Sequence, residues 1–169
     1  MSTVSILSKL FSHQAWAHDG FLQALDAPDI EQHPEERQVA LRILNHCYVV
    51  NQIFAGHLTG RPHGYTMANT VETPTPEALR SAHAASDRWF LEFVSSVTPE
   101  QLAERIAFTF TDGDRGAMTR EEMLFHVVTH DGFHRGEVGR LLKQMSSLPP
   151  RDTLAVSLHR DEPERREHA

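Results

Sequence analysis

The stretch Thr119–Met145, TREEMLFHVVTHDGFHRGEVGRLLKQM, decides how the rest of the chain is read. Thr119 followed three residues on by Glu122 is a capping-box pattern, so a helix is predicted to start there. Within it His126, His130 and His134 recur every four residues. Histidines at i and i+4 share a helix face and suit a first-row metal ion. Eight residues of helix rise about 12 Å, so no single ion reaches all three. Stepping about 100° per residue puts Met123, Val127, Val138, Leu141 and Met145 in one arc, with Leu124 and Leu142 at its edge. His134 falls in the middle of that arc, His130 near its border and His126 on the flank. His130 and His134 are therefore the candidate pair. The alternative is that each is a hydrogen-bonded core histidine.

Working outward, the preceding segment Ile106–Met118, IAFTFTDGDRGAM, changes period. Ile106, Phe108 and Phe110 alternate with small or polar residues, and Asp112-Gly113 is a turn signal, which predicts a short β-hairpin. Thr3–Leu25 has helical spacing, with Leu7, Phe11, Phe21, Leu22 and Leu25 on one face. Gln14 and His18 share that face, and His13 does not. A second helix is predicted from near Pro34 to Thr59, with Gly60 as its stop. Val39, Ile43, Val50, Ile53 and Phe54 form its apolar arc, and His46 and His57 lie within it. His57 stands in the last turn, where helical carbonyls attract a histidine. His46 is near mid-helix, at the level of His130 and His134, and is the third candidate ligand. Cys47 points about 100° away and reads as a small core residue.

The connector RPHGYTMANTVETP is long for a helix junction. It could run the length of the molecule and leave the third helix parallel to the second. That helix should start near Thr75-Pro76 and end near Pro99, burying Leu79, Ala82, Trp89, Phe90, Phe93 and Val97. His83 also turns inward and reads as a satisfied structural histidine. After Met145, Leu154, Val156 and Leu158 are expected to dock, and the charged tail from about residue 160 to 169 to fray.

The chain has 169 residues, 40% hydrophobic, which suits one domain spanning 1–169. The net charge of −7 and the lack of a basic run argue against nucleic acid or an anionic membrane as partner. The single cysteine excludes an internal disulfide. No apolar run approaches a membrane span, and MSTVSILSKLFSHQAW has no signal-peptide core, so the expected location is cytoplasmic. Four apolar stripes imply an all-α four-helix bundle, a fold that holds metals between facing helices. Three imidazoles on Zn²⁺, Ni²⁺ or Fe²⁺ would leave a position for water or substrate.

HVVTHDGFHRGEVGRLL, taken with His46 in LNHCYVVNQIFAGHLTG, resembles the DinB family of metal-dependent helical proteins. The resemblance implies an up-down-down-up bundle, often a homodimer, with His46, His130 and His134 on one divalent ion. It implies a small-molecule substrate and chemistry of thiol-transferase, isomerase or hydrolase type, in some members with a low-molecular-weight thiol. Phe133 stands where family members often carry a further histidine, and His18 takes the place of a polar residue of helix one. Two functions follow: a metal-dependent enzyme with an open water position, or a non-catalytic stress-response bundle whose metal is structural or regulatory. No nucleophile elbow, P-loop or dinucleotide fingerprint is present, so any chemistry rests on the metal. His18 and Glu137 are the candidate residues supporting the ligands. His18 as a fourth ligand would favour the structural alternative. Glu137 would accept from a ligand or act as a base.

Overall fold

The structure is a computed structural model that describes residues 2–166. It is mostly helical. Four long helices, α1 (Thr3–Leu25), α2 (Pro34–Thr59), α3 (Pro76–Ser96) and α5 (Arg120–Gln144), carry the core. A one-turn α4 (Pro99–Ala103), a hairpin of β1 (Arg105–Thr109) and β2 (Arg115–Thr119), and a short α6 (Leu154–Asp161) complete the described elements, with 3₁₀ turns at Pro28–Gln32 and Pro163–Arg165.

The helix ends follow local chemistry. Thr119 accepts from the Glu122 amide while Glu122 bonds back to the Thr119 amide, the reciprocal box that starts α5. Thr98 and Gln101 build the same box on α4, a one-turn helix that apolar spacing does not mark. Pro34 and Pro76 open α2 and α3 in their first turns. Gly60, at φ 66°, ends α2 in the left-handed conformation that costs glycine least. In the hairpin Phe108 pairs with Gly116 and Arg105 with Thr119, and Gly113 turns the chain at φ 98°.

Cross-helix contacts fix the directions. Phe11 stacks on Phe90 and His18 meets Asp87, so α1 and α3 are antiparallel. Phe54 meets His126 and His46 meets His134, so α2 and α5 are antiparallel. His83 bonds to the Leu44 carbonyl and Gln52 to Ser86, so α2 and α3 run the same way. The connector explains this last pairing: it retraces α2, with Asn69 bonded to the Arg42 carbonyl and Asn45 to Thr70.

The core has two apolar halves. Leu7, Phe11, Phe54, Phe90 and Val127 belong to one, and Leu22, Leu44, Leu79, Val138 and Leu142 to the other. Each such side chain contributes about 1.5–3 kcal/mol on burial. Between the halves, at mid-helix on all four helices, lies a buried polar layer: Gln14 and His18, Asn51, His83 and Asp87, Asp131 and Arg135.

That layer displaces several expected faces. The buried stripe of α3 is Leu79, His83, Ser86, Asp87, Phe90 and Val94, so Ala82, Trp89, Phe93 and Val97 lie at its margin. On α2 Val39 is exposed and Ile43 only partly buried, while Ala40, Leu44, Cys47 and Asn51 turn inward. On α5 Asp131 and Arg135 take the centre, and His134 stands at the border rather than in the middle. His13 is also buried, because the chain after α5 folds back and sets Asp152 2.8 Å from its Nε2. Arg135 donates to the same carboxylate at 2.8 Å, tying α5 to that segment. Burial opposes the charge on Asp152, but these two partners together hold its pKa down to about 2.

Leu154, Val156 and Leu158 are partly buried on α6, which packs on α1. The fraying expected from about residue 160 is not seen at Asp161, which completes α6, or at Glu162, which pairs with Lys9 and Arg165. Residues 167–169 lie outside the described residues.

Candidate metal centre

Three helical positions bring His46, His130 and His134 together. Mid-α2 supplies His46, and α5 supplies the other two one turn apart on the facing side. One ring nitrogen from each lies within 4.8 Å of the others. His46 Nε2 is 3.1 Å from His130 Nε2, and the His46 ring meets the His134 ring edge-on at 4.8 Å between centroids. The side chains of His130 and His134 are 17% and 19% exposed, so the cluster sits under the surface with access to solvent.

The opposite ring nitrogens are all occupied. His46 Nδ1 faces the Ala68 carbonyl at 2.5 Å. His130 Nδ1 faces Asp131 Oδ1 at 3.4 Å, and His134 Nδ1 faces Glu137 Oε2 at 2.6 Å. A carbonyl and two carboxylates accept only, so each Nδ1 carries the proton. In the neutral imidazole the lone pair is then on Nε2. Two Nε2 lone pairs 3.1 Å apart repel unless a cation or a proton lies between them. A four-coordinate ion with metal–nitrogen bonds of about 2.0–2.1 Å sets such atoms roughly 3.3 Å apart, close to the observed spacing. The donor set therefore fits a divalent ion. Burial and the neighbouring imidazoles depress the basicity of His46, despite the Ala68 carbonyl, and favour the neutral form a metal needs.

Beneath this cluster the polar layer forms a second row. Asp131 receives the Asn51 amide at 2.7 Å and lies 3.2 Å from His18 Nε2. His18 Nδ1 lies 3.0 Å from both oxygens of Asp87. Burial works against a charge on His18, but Asp87 and Asp131 outweigh it and raise its pKa to about 9. Burial lowers its neighbour His83 to about 4, helped by the positive charge on His18. Burial alone would raise the Asp131 carboxyl, but its bonds from His130, His18 and Asn51 hold it well below the usual range.

Other groups also satisfy a distance test. His18, His83 and Asp87 come within 4.8 Å, as do Cys47, His130 and Asp131. In the first, His18 already faces a carboxylate from each ring nitrogen; in the second, burial and Asp131 push the Cys47 thiol well up and keep it protonated.

The candidate residues are thus placed as follows. His46, His130 and His134 converge, and Glu137 touches His134. His18 faces two carboxylates and reaches the site only through Asp131. His126 stacks on Phe54, and its ring lies 5.4 Å from that of His130. His57 packs on Phe108 and His63. His83 Nε2 donates to the Leu44 carbonyl, but its buried Nδ1 has no hydrogen-bond partner among the described residues, so the expected satisfied histidine is only half satisfied. Sequence reading missed Asp131, Asp87 and Asn51. The only signal was Asp131 directly following a candidate ligand.

Convergent, oxygen-anchored histidines on facing helices define a helical protein with a cluster that could hold a cation between helices. More particularly, the chain belongs to the DinB family, whose model matches residues 1–166. No curated protein and no solved structure gives a significant match. No helix is long and apolar enough to cross a membrane among the described residues.

Proposed function

We propose that the protein binds one divalent metal ion per chain through Nε2 of His46, His130 and His134, and uses it on a small-molecule substrate. The observation that carries this reading is the anchoring of all three Nδ1 atoms by oxygen acceptors, which aims the lone pairs at one point. Three protein ligands leave a coordination position open, the mark of catalytic rather than structural sites. Zn²⁺, Ni²⁺ and Fe²⁺ all accept imidazole. Bound there, such an ion acidifies water or a thiol and polarises a substrate.

The chain's own residues do the rest. Ala68, Asp131 and Glu137 orient the three rings, and Glu137, the most exposed of them, is the candidate proton acceptor at the edge of the site. Both ring nitrogens of His18 are engaged, which supports a positioning role through Asp131 rather than a fourth ligand. We read the four long helices as an up-down-down-up bundle and the chain as one domain. The homodimer and the thiol-transferase or hydrolase chemistry rest on the family resemblance.

Metal analysis of the untagged protein, then assays for thiol conjugation and ester or amide hydrolysis, tests the reading. Near one metal per chain with activity lost on chelation is expected. Absence of metal after reconstitution with all three ions would overturn it.

A further inference from the structure

Beside the histidine cluster lies a cavity of about 330 Å³ between α2, α5 and the β-hairpin. Phe54, Phe108 and Phe110 form much of its wall, with Val50, Ile53 and Met118. It joins the site at two points. His130 lines both the cavity and the cluster. Ala68 lines the cavity, and its carbonyl holds His46 Nδ1. Among the described residues no Lys, Arg, Asp or Glu lines it. Besides His130, the polar side chains on the wall among those residues are the imidazoles of His57 and His126 and the Thr111 hydroxyl. Neither imidazole has a hydrogen-bond partner among the described residues.

Larger cavities of about 380 Å³ near α6, 460 Å³ between α2 and α3 and 530 Å³ near Arg135 and Pro149 share no residue with the cluster. The apolar chamber, by contrast, opens onto a candidate ligand, His130.

We infer that this chamber seats the organic body of the substrate, and that the body is compact, uncharged and apolar or aromatic. This deepens the metal-site reading above and rests on it for the chemistry, although not for the binding. The size is at the lower end of ligand pockets, roughly 300–1,000 Å³, and suits a single-ring compound. Aromatic walls favour a ring by stacking and edge contacts. A charged group would lose its hydration with no counter-charge to meet it. One neutral polar atom can bond to His57 or His126, or point past His130 toward the metal. A low-molecular-weight thiol bearing carboxylates does not suit this wall, so a thiol co-substrate would have to reach the ion from outside the chamber.

The hairpin makes the chamber specific to this chain's tertiary structure. A Cβ on Gly116 would come within 2.7 Å of the Phe110 ring and 3.1 Å of Phe108, so glycine lets both rings approach β2 this closely.

The test uses the full chain, with and without zinc, and two matched probes: 4-fluorobenzamide, neutral, and 4-fluorobenzoate, an anion of the same size. Fluorine NMR reads their dissociation constants. In metal-free protein the benzamide should bind at least about tenfold tighter than the benzoate. Phe110→Ala, at a side chain 47% exposed, should weaken the benzamide several-fold and leave zinc content unchanged. Should that variant fail to fold, Thr111→Trp, at an exposed position of the wall, should block the benzamide instead. Equal binding of the two probes, no binding of the benzamide, or binding indifferent to the folded wall variant overturns the inference. Benzamide binding in a chain that takes up no metal would sink the metal reading and leave the chamber standing; zinc uptake without benzamide binding would do the reverse.

Discussion

Two histidine groups only a few ångströms apart are built for opposite ends. In the outer one, His46, His130 and His134 give their Nδ1 protons to oxygens and turn unpaired Nε2 atoms toward each other. In the inner one, His18 faces Asp87 from Nδ1 and Asp131 from Nε2, and His83 donates to a carbonyl. Both groups pass a distance criterion for metal ligation. Only the outer one turns neighbouring lone pairs against each other near solvent; the inner one leaves a single unpartnered acceptor, the buried His83 Nδ1. The inner one meets its demand with a proton: His18 carries the positive charge that two buried carboxylates require. Proximity of ligand-type residues is thus a poor guide until the partner of every ring nitrogen is known.

The comparison breaks most readily at the outer group. His46→Ala, His130→Ala or His134→Ala should each abolish stoichiometric metal, whereas His126→Ala, on the flank, should keep it. Metal per chain, measured by elemental analysis, decides this, and a His126→Ala protein that loses its metal while His134→Ala keeps it would invert the ligand assignment. Next in size is the inner group. Asp131→Asn keeps the shape but leaves His18 facing an amide and His130 without its anion. His18 keeps its Asp87 partner, so a loss of about 1–3 kcal/mol is expected from the charge-assisted bonds removed, read as a lowered urea midpoint of metal-free protein. A midpoint within error of wild type would mean that the layer is not a charge-paired unit.

The pH dependence sharpens the same contrast. His18 has a folded pKa of about 9, above its unfolded value of 6.5. Its contribution is therefore complete below about pH 6.5 and is lost as pH rises through 9, on the order of 2–3 kcal/mol. His83 acts in the opposite sense: with a folded pKa of about 4, it lowers stability as pH falls from 6.5 toward 4, because the unfolded chain takes up the proton first. Urea midpoints of metal-free protein should peak near neutrality, and His18→Gln should flatten the alkaline limb. An alkaline limb unchanged in His18→Gln would remove His18 as its cause. A smaller effect is expected at Glu137, which is partly exposed. Glu137→Gln should weaken metal binding about tenfold through His134 and leave the fold intact; competition with a chromophoric chelator measures it. Smallest of all, chelation should leave helical circular dichroism unchanged, since the two apolar half-cores need no ion, and should lower the melting temperature only by mass action. Loss of the helical signal would make the metal structural.

Much of the molecule is legible in the sequence because it is decided within a few residues. Thr119 with Glu122, Pro34, Thr75-Pro76 and Gly60 mark helix ends by satisfying or ending local backbone hydrogen bonds. Asp112-Gly113 turns a hairpin, and the four-residue spacing of His130 and His134 puts them on one side of α5. Mid-helix position then selected His46, and the structure brings these three together. Tertiary structure decided which way each helix faces at its middle. Apolar periodicity cannot phase a helix whose inward centre is Asp131 and Arg135, or Ser86 and Asp87. Those residues are buried because their partners arrive from other helices or a distant segment: Asn51 and His18 for Asp131, Asp152 for Arg135. Such pairings span from 17 residues, for Arg135 and Asp152, to 80, for Asn51 and Asp131, or more, and leave no local pattern. The same reason hides the chamber, whose wall exists only once the hairpin folds over α2 and α5.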